Sequence, residues 1–256
     1  MADVLDDEWW KEDKNKQKDR SHVKKSKRKV DDNHTADQDD KVDEALNKKR
    51  RKRQRITEEI LPDNGGDRAS LQTMITSYCG KAASLKIDDF DFQSDYFAIC
   101  NIEKNFTISS YLKAIFPKWT KKVNSFQSKM SPLIIVLCGN ALRASHLNGD
   151  CKSFKGDNCK SIKLFSRHMK LKDQAKTLKS SIVHFAVGTP ARVAALLKDD
   201  LLSLEHTKFI IFDWNWRDVK MKRMVDVPEV CASLILLIRD HVLPSCKNNK
   251  TRIGLF

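Results

Sequence analysis

The chain has 256 residues, with 48 Lys and Arg against 34 Asp and Glu and a formal net charge of +14. That length allows one domain with a sizeable core plus a tail, and the basic excess predicts a polyanionic partner whose affinity falls as salt rises. The 7 cysteines, at 79, 100, 138, 151, 159, 231 and 246, form no CxxC pair, so free thiols are expected and neither a zinc site nor a disulfide framework is.

Residues 1–60 hold 18 basic and 16 acidic residues with almost no apolar periodicity, and a disordered, mixed-charge tail is expected there. The charge excess therefore belongs to 61–256, which carry 30 basic and 18 acidic residues. Two basic clusters stand out in the tail, Lys24-Lys25-Ser26-Lys27-Arg28-Lys29 and Lys48-Lys49-Arg50-Arg51-Lys52-Arg53, with an acidic block at 37–43 between them. They read either as solvated charge or as a nuclear or nucleolar address that also helps to hold RNA. Trp9-Trp10, following Asp6-Asp7-Glu8, reads as a docking peptide for another protein or as incidental. Acids and tryptophans in place of an apolar core segment argue against a signal peptide, and the apolar runs 133–138 and 234–238 are too short to cross a membrane.

From Asp67 the pattern becomes globular. Asp67 can cap a helix carrying Leu71, Met74, Ile75 and Tyr78, and a second helix is predicted over 109–116, stopped by Pro117. Residues 133–138 form the first core strand, and Ala141-Leu142-Arg143 opens the next helix. Residues 151–179 hold nine Lys/Arg against two Asp, and are read either as a solvated face or as RNA-contacting surface that includes Lys163 and Arg167. A short strand is expected at 162–165 and a short helix at 174–179. A helix over 227–242, opened by Pro228 and closed by Pro244, and a final strand at 251–256 complete the chain.

The stretch 183–218 carries the most information. A β-branched run ends at Gly188, Thr189 takes the N-cap position and Pro190 sits in the first helical turn, where its missing N–H costs nothing. Val193, Leu196 and Leu197 recur at helical spacing, and Phe209-Ile210-Ile211-Phe212 forms a second buried strand with Asp213 at its carboxyl end. In an open parallel sheet that end is where ligands bind. The first-turn amides, the Thr189 hydroxyl and Arg192 make either a phosphate site or a helix cap that touches nothing. Trp214 and Trp216 are read as core packing or as a stacking platform.

This layout resembles the first RecA-like domain of DEAD-box RNA helicases. Gly188-Thr189-Pro190-Ala191-Arg192 is similar to that family's RNA-gripping TPGR element, with Ala191 in place of glycine, and Asp213-Trp214-Asn215-Trp216 stands where the D-E-A-D tetrad would. The strand at 133–138 and the loop leading to Arg143 resemble the P-T-R-E-L element, which makes Arg143 a candidate phosphate contact. The motor's parts are absent. None of the 8 glycines forms G-x-x-x-x-G-K-[ST], and Gly80-Lys81 has Ile75 and Ala82 where Gly and Ser/Thr belong. Trp214 replaces the acid that would orient water, and an indole does no acid–base work.

The D-D-E-W-W start, basic tail, V-G-T-P-x-R, F-D-W-N-W-R-D and I-G-L-F elements together resemble the Cms-type ribosomal small-subunit proteins. The implied fold is α/β: a single, degenerate RecA-like parallel sheet of P-loop-NTPase type, flanked by helices, over 61–256. The implied function is that of a non-catalytic, RNA-binding, helicase-like ribosome biogenesis factor. It would associate with pre-rRNA and small-subunit pre-ribosomal proteins in the nucleus and nucleolus, with no cofactor, nucleotide, metal or membrane. The alternative is a protein–protein adaptor on the same scaffold without direct RNA binding.

Overall fold

In the computed structural model, residues 66–80, 85–100, 107–249 and 251–256 are described. The predicted tail, with Trp9, Trp10 and both basic clusters, lies outside them.

Five strands form one all-parallel sheet: β1 (Ile134–Leu137), β2 (Ser161–Leu164), β3 (Phe185–Gly188), β4 (Phe209–Phe212) and β5 (Arg252–Leu255). Their spatial order is β2-β3-β1-β4-β5, so the crossover from β3 to β4 passes over β1, which pairs with both. Each residue of β1, β3 and β4 is buried. That explains why these strands read as unbroken apolar runs: helices cover the sheet on both faces, and alternation has no solvent side to record.

The period of two still sorts the side chains. Ile135, Leu137, Ile210 and Phe212 join one core with helices α1 (Arg68–Cys79), α7 (Pro190–Lys198) and α8 (Pro228–Leu237). Ile134, Val136, Phe209 and Ile211 join a second core with α2 (Ile108–Ile115), α3 (Trp119–Ser125) and α4 (Ala141–Asp150). A short α5 (Lys152–Lys155) and α6 (Leu171–Ser180) complete the helices before β3.

The local start signals behave as their chemistry requires. Asp67 accepts the Ser70 backbone N–H at 2.8 Å, and Thr107 accepts that of Ser110 at 3.2 Å. Thr189 holds the N-cap position of α7, but its side chain makes no capping bond. The helix expected at 174–179 begins three residues earlier, at Leu171.

Pro244 does not close the last long helix. After α8 the chain widens into a π turn (Ile238–Val242), in which the Leu243 N–H reaches back to the Ile238 carbonyl, and α9 (Leu243–Asn249) continues through the proline. A proline ring in an ordinary helix meets the carbonyl four residues back. The wider π turn moves that carbonyl, here Asp240's, away from the ring. The mixed region at 86–106 contains two 3₁₀ turns, Ile87–Asp89 and Ser94–Tyr96, after which Phe97 bridges Ile253 on the outer side of β5.

Candidate nucleic-acid interface at the carboxyl edge of the sheet

Because the sheet is parallel, all five strands present their carboxyl ends on one edge. The loops there form two clusters of different character.

The first lies over β1 and β4. Asn140 caps α4 by accepting the Arg143 N–H at 2.8 Å, which fixes the first turn and sends the Arg143 side chain across to β4. Its Nε donates to Asp213 Oδ2 at 2.8 Å and its Nη2 to Oδ1 at 2.7 Å. This two-pronged geometry is the strongest form of the pair. Asp213 is 1% exposed. Burial pushes its carboxyl up, against the two Arg143 bonds that pull it down. The Arg143 guanidinium also lies 4.9 Å from the centre of the Trp216 ring. Two of the five donors of Arg143, expected as a phosphate contact, are therefore engaged by Asp213.

The two tryptophans part company. Trp214 is core, 3% exposed. Its backbone N–H donates to the Phe256 carbonyl at 2.7 Å, Arg223 lies over its ring, and Gly66 passes so close that a Cβ there would sit 2.5 Å from Trp214 Cδ1. Trp216, like Asn215, is half-buried. The loop beyond is held by Asp218, which accepts the backbone N–H groups of Lys220 and Lys222 at 2.7 and 2.9 Å.

Cys138 ends β1 beside this cluster, and burial pushes its thiol up to about 12, with Asp213 adding to the shift. Cys151 and Cys246 are likewise pushed up to about 12, chiefly by burial. Thiolates are the reactive form, so these three cysteines should stay unmodified by a disulfide reagent at mildly alkaline pH in the folded chain. They should react fully in denaturant, as peptide mapping by mass spectrometry would read directly.

The second cluster lies over β2 and β3. Leu164 of β2 is in register with Gly188 of β3, and the Thr189 N–H donates to the Leu164 carbonyl at 3.0 Å. This brings the ends of the two strands together, with Thr189 at the start of α7 beside the turn that leads to Arg167. Lys163, in register with Val187, lies on the α4 side of the sheet, whereas Arg192 opens α7 on the other side, so the predicted RNA-contacting residues are divided between the two faces. Lys163, Arg167 and Arg192 are half-buried, and Lys170 and Lys172 beside them are exposed.

The long basic run does not act as one surface. Lys155 folds inward, with Nζ donating to the Asn148 carbonyl and Oδ1 at 2.7 and 2.8 Å and lying 5.6 Å from the Phe185 ring centre. Burial pulls its pKa down.

Sequence reasoning missed Gln174, which is 2% exposed among exposed lysines. Its Nε2 donates to the carbonyls of Lys163 and Phe165, each at 3.0 Å, and its Oε1 accepts from Arg192 Nη1 at 3.1 Å. The signal was present: Leu171, Gln174, Ala175 and Leu178 share the inward spacing of one helix, and the only amide among them needs partners.

Among the described residues, no group of three or more His, Cys, Asp or Glu is placed to hold a metal ion, and no helix is long and apolar enough to cross a membrane.

The family model described as "CMS1: U3-containing 90S pre-ribosomal complex subunit" matches residues 6–256. This chain belongs to the CMS1 family. It is 35% identical to human Protein CMSS1 over 211 residues, covering 81% of this chain and 75% of that one. It is 41% identical to Xenopus laevis Protein CMSS1 over 160 residues, 61% and 57% of the two chains, and 28% identical to Schizosaccharomyces pombe Protein cms1 over 190 residues, 73% and 67%. The resemblance carried by the D-D-E-W-W, V-G-T-P-x-R and F-D-W-N-W-R-D elements is thereby borne out at the level of the family.

Proposed function

We propose that this chain is a non-catalytic, RNA-binding subunit of small-subunit pre-ribosomes, built on a degenerate RecA-like, helicase-like domain and working on pre-rRNA in the nucleus and nucleolus. Family membership supports the ribosome-assembly setting and the pre-ribosomal partners. The observation that carries RNA binding is the Arg192 guanidinium at the start of α7, oriented by Gln174 through a single donor beside the carboxyl end of β2, on a domain that holds the chain's basic excess.

The RecA-like reading rests on the all-parallel sheet, with the V-G-T-P and D-W-N-W elements at the carboxyl ends of β3 and β4, both flanking β1. The non-catalytic reading rests on two residues. The Asp213 carboxylate, which would hold magnesium in a motor, is engaged by Arg143, and Trp214 is packed where a water-orienting acid would have to reach solvent.

The test is binding of the full chain to a short fluorescein-labelled oligouridylate across a salt series. Three to four phosphate contacts predict log K falling against log salt with a slope of about −2 to −3, at roughly −0.7 per contact for single strands. Arg192→Ala should weaken binding about tenfold, and ATP should neither bind by calorimetry nor change RNA affinity. A chain that ignores the oligonucleotide yet still enters pre-ribosomes would be an adaptor. Heat of ATP binding would overturn the non-nucleotide reading.

A further inference from the structure

We infer that Gln174 is a positioning residue for RNA, holding Arg192 and the end of β2 in the arrangement that a phosphate backbone meets. The inference rests on the RNA-binding reading above and names the part of that site which contacts no ligand.

Gln174 sits on the buried side of α6, a helix otherwise rich in exposed lysine. A buried amide is costly unless its donors and acceptor are matched. Here Nε2 faces two carbonyls and Oε1 faces a guanidinium. A flipped amide would set oxygen against both carbonyls and nitrogen against Arg192, so the environment permits one orientation.

The positions of the two carbonyls matter. Lys163 and Phe165 are two residues apart, so their carbonyls leave β2 on the same side, away from β3. Leu164, between them, turns its carbonyl to β3 and accepts the Thr189 N–H. β2 is the last strand on this side of the sheet. Gln174 therefore ties off the outer side of the edge strand while Thr189 ties the inner side, and the residues between these ties include Lys163 and lead directly to Arg167.

The same amide reaches Arg192. A guanidinium has five N–H donors in a rigid fork. Gln174 takes one, and no second partner for Arg192 occurs among the described residues. A neutral acceptor orients the fork without cancelling its charge, which a carboxylate in the same place would do. Gln174 thus joins through one side chain the backbone at Lys163, the Phe165 carbonyl before the turn to Arg167, and the side chain of Arg192.

A double-mutant cycle on the full chain tests this, read by oligouridylate affinity with circular dichroism and thermal melting as the folding control. Gln174→Leu should weaken binding by about as much as Arg192→Ala, roughly tenfold, and the double variant should be no weaker than Arg192→Ala alone. Gln174→Glu keeps an acceptor for Arg192 but adds a compensating charge. It should also weaken binding and reduce the salt slope by about 0.7, one phosphate contact. Gln174→Met, unbranched and close to glutamine in size, carries the test if Gln174→Leu fails to fold.

A merely structural role gives a different result: Gln174 variants melt earlier, bind RNA as the parent does, and add independently to Arg192→Ala. That outcome overturns the inference while leaving the RNA-binding reading intact. A parent chain that does not bind the oligonucleotide overturns both.

Discussion

Gly188→Ala is expected to cost the domain about 3 kcal/mol or more, at the upper end of what overpacking does, and to lower the melting temperature by roughly 10 °C. A Cβ at this position would fall inside contact distance of the Leu164 carbonyl oxygen and 2.7 Å from the Leu164 Cβ. Neither atom can swing away. The oxygen belongs to the backbone of the paired strand and accepts the Thr189 N–H, and both strands lie within the sheet between packed cores. Relief would have to come from separating β2 from β3. That movement would also displace the Lys163 and Phe165 carbonyls that hold Gln174 against Arg192, so RNA affinity should fall in whatever fraction stays folded. Gly149→Ala is the control. A Cβ there meets nothing within 4 Å, the site lies inside α4, and alanine is the better helix former by about 1 kcal/mol. Thermal melts of both variants decide the matter: a Gly188→Ala protein melting with the parent would show that the two strands are not held as tightly as their register implies.

Asp213→Ala is expected to destabilise by about 3–5 kcal/mol, because it leaves the Arg143 charge largely buried without its partner. The side chains of Arg143 and Asp213 are 12% and 0% exposed, so water can do little to compensate. The double variant Arg143→Met with Asp213→Leu should recover most of the loss, since a buried ion pair is often no better than a well-packed apolar one. The contrast between single and double variants is the measurement, by denaturant titration of each. A single-variant cost below about 1 kcal/mol would mean the pair behaves like a solvated one, and the picture of a closed carboxyl edge over β1 and β4 would fail. Neither variant should alter ATP binding, because the reading given to Asp213 assigns it no nucleotide.

Much of the fold was legible in the chain itself. The runs 133–138 and 209–212 read as strands because a doubly covered parallel strand has no polar side to interrupt it. Asp67 read as a cap because a carboxylate before an apolar-periodic stretch has that local use. The family was legible from V-G-T-P-x-R and F-D-W-N-W-R-D, since these combinations are specific where each short element alone is not. The errors fall at places where a residue's fate is set by something distant. The pairing of Arg143, read as a candidate phosphate contact, with Asp213 was not foreseen because that partner lies 70 residues away. Pro244 looked like a stop because the π turn that accommodates it leaves no composition signal. Trp214 and Trp216, two residues apart, could not be told apart until Gly66 and Arg223 were seen to wall in the first.

By itself the sequence determined the core strands and most of the helices that flank them, the excess of positive charge on the globular part, the family, and the absence of an acid at Trp214. Each follows from local periodicity, composition or motif. Only the tertiary structure decided which of the candidate cations face outward. The strand order β2-β3-β1-β4-β5 sets β1 beside β4, so Arg143 and Asp213 meet and neutralise one another. The same order leaves β2 at the edge beside β3, so the carbonyls of Lys163 and Phe165 and the guanidinium of Arg192 share a buried glutamine instead. Charge is written along the chain, but which charges find partners depends on which strands become neighbours.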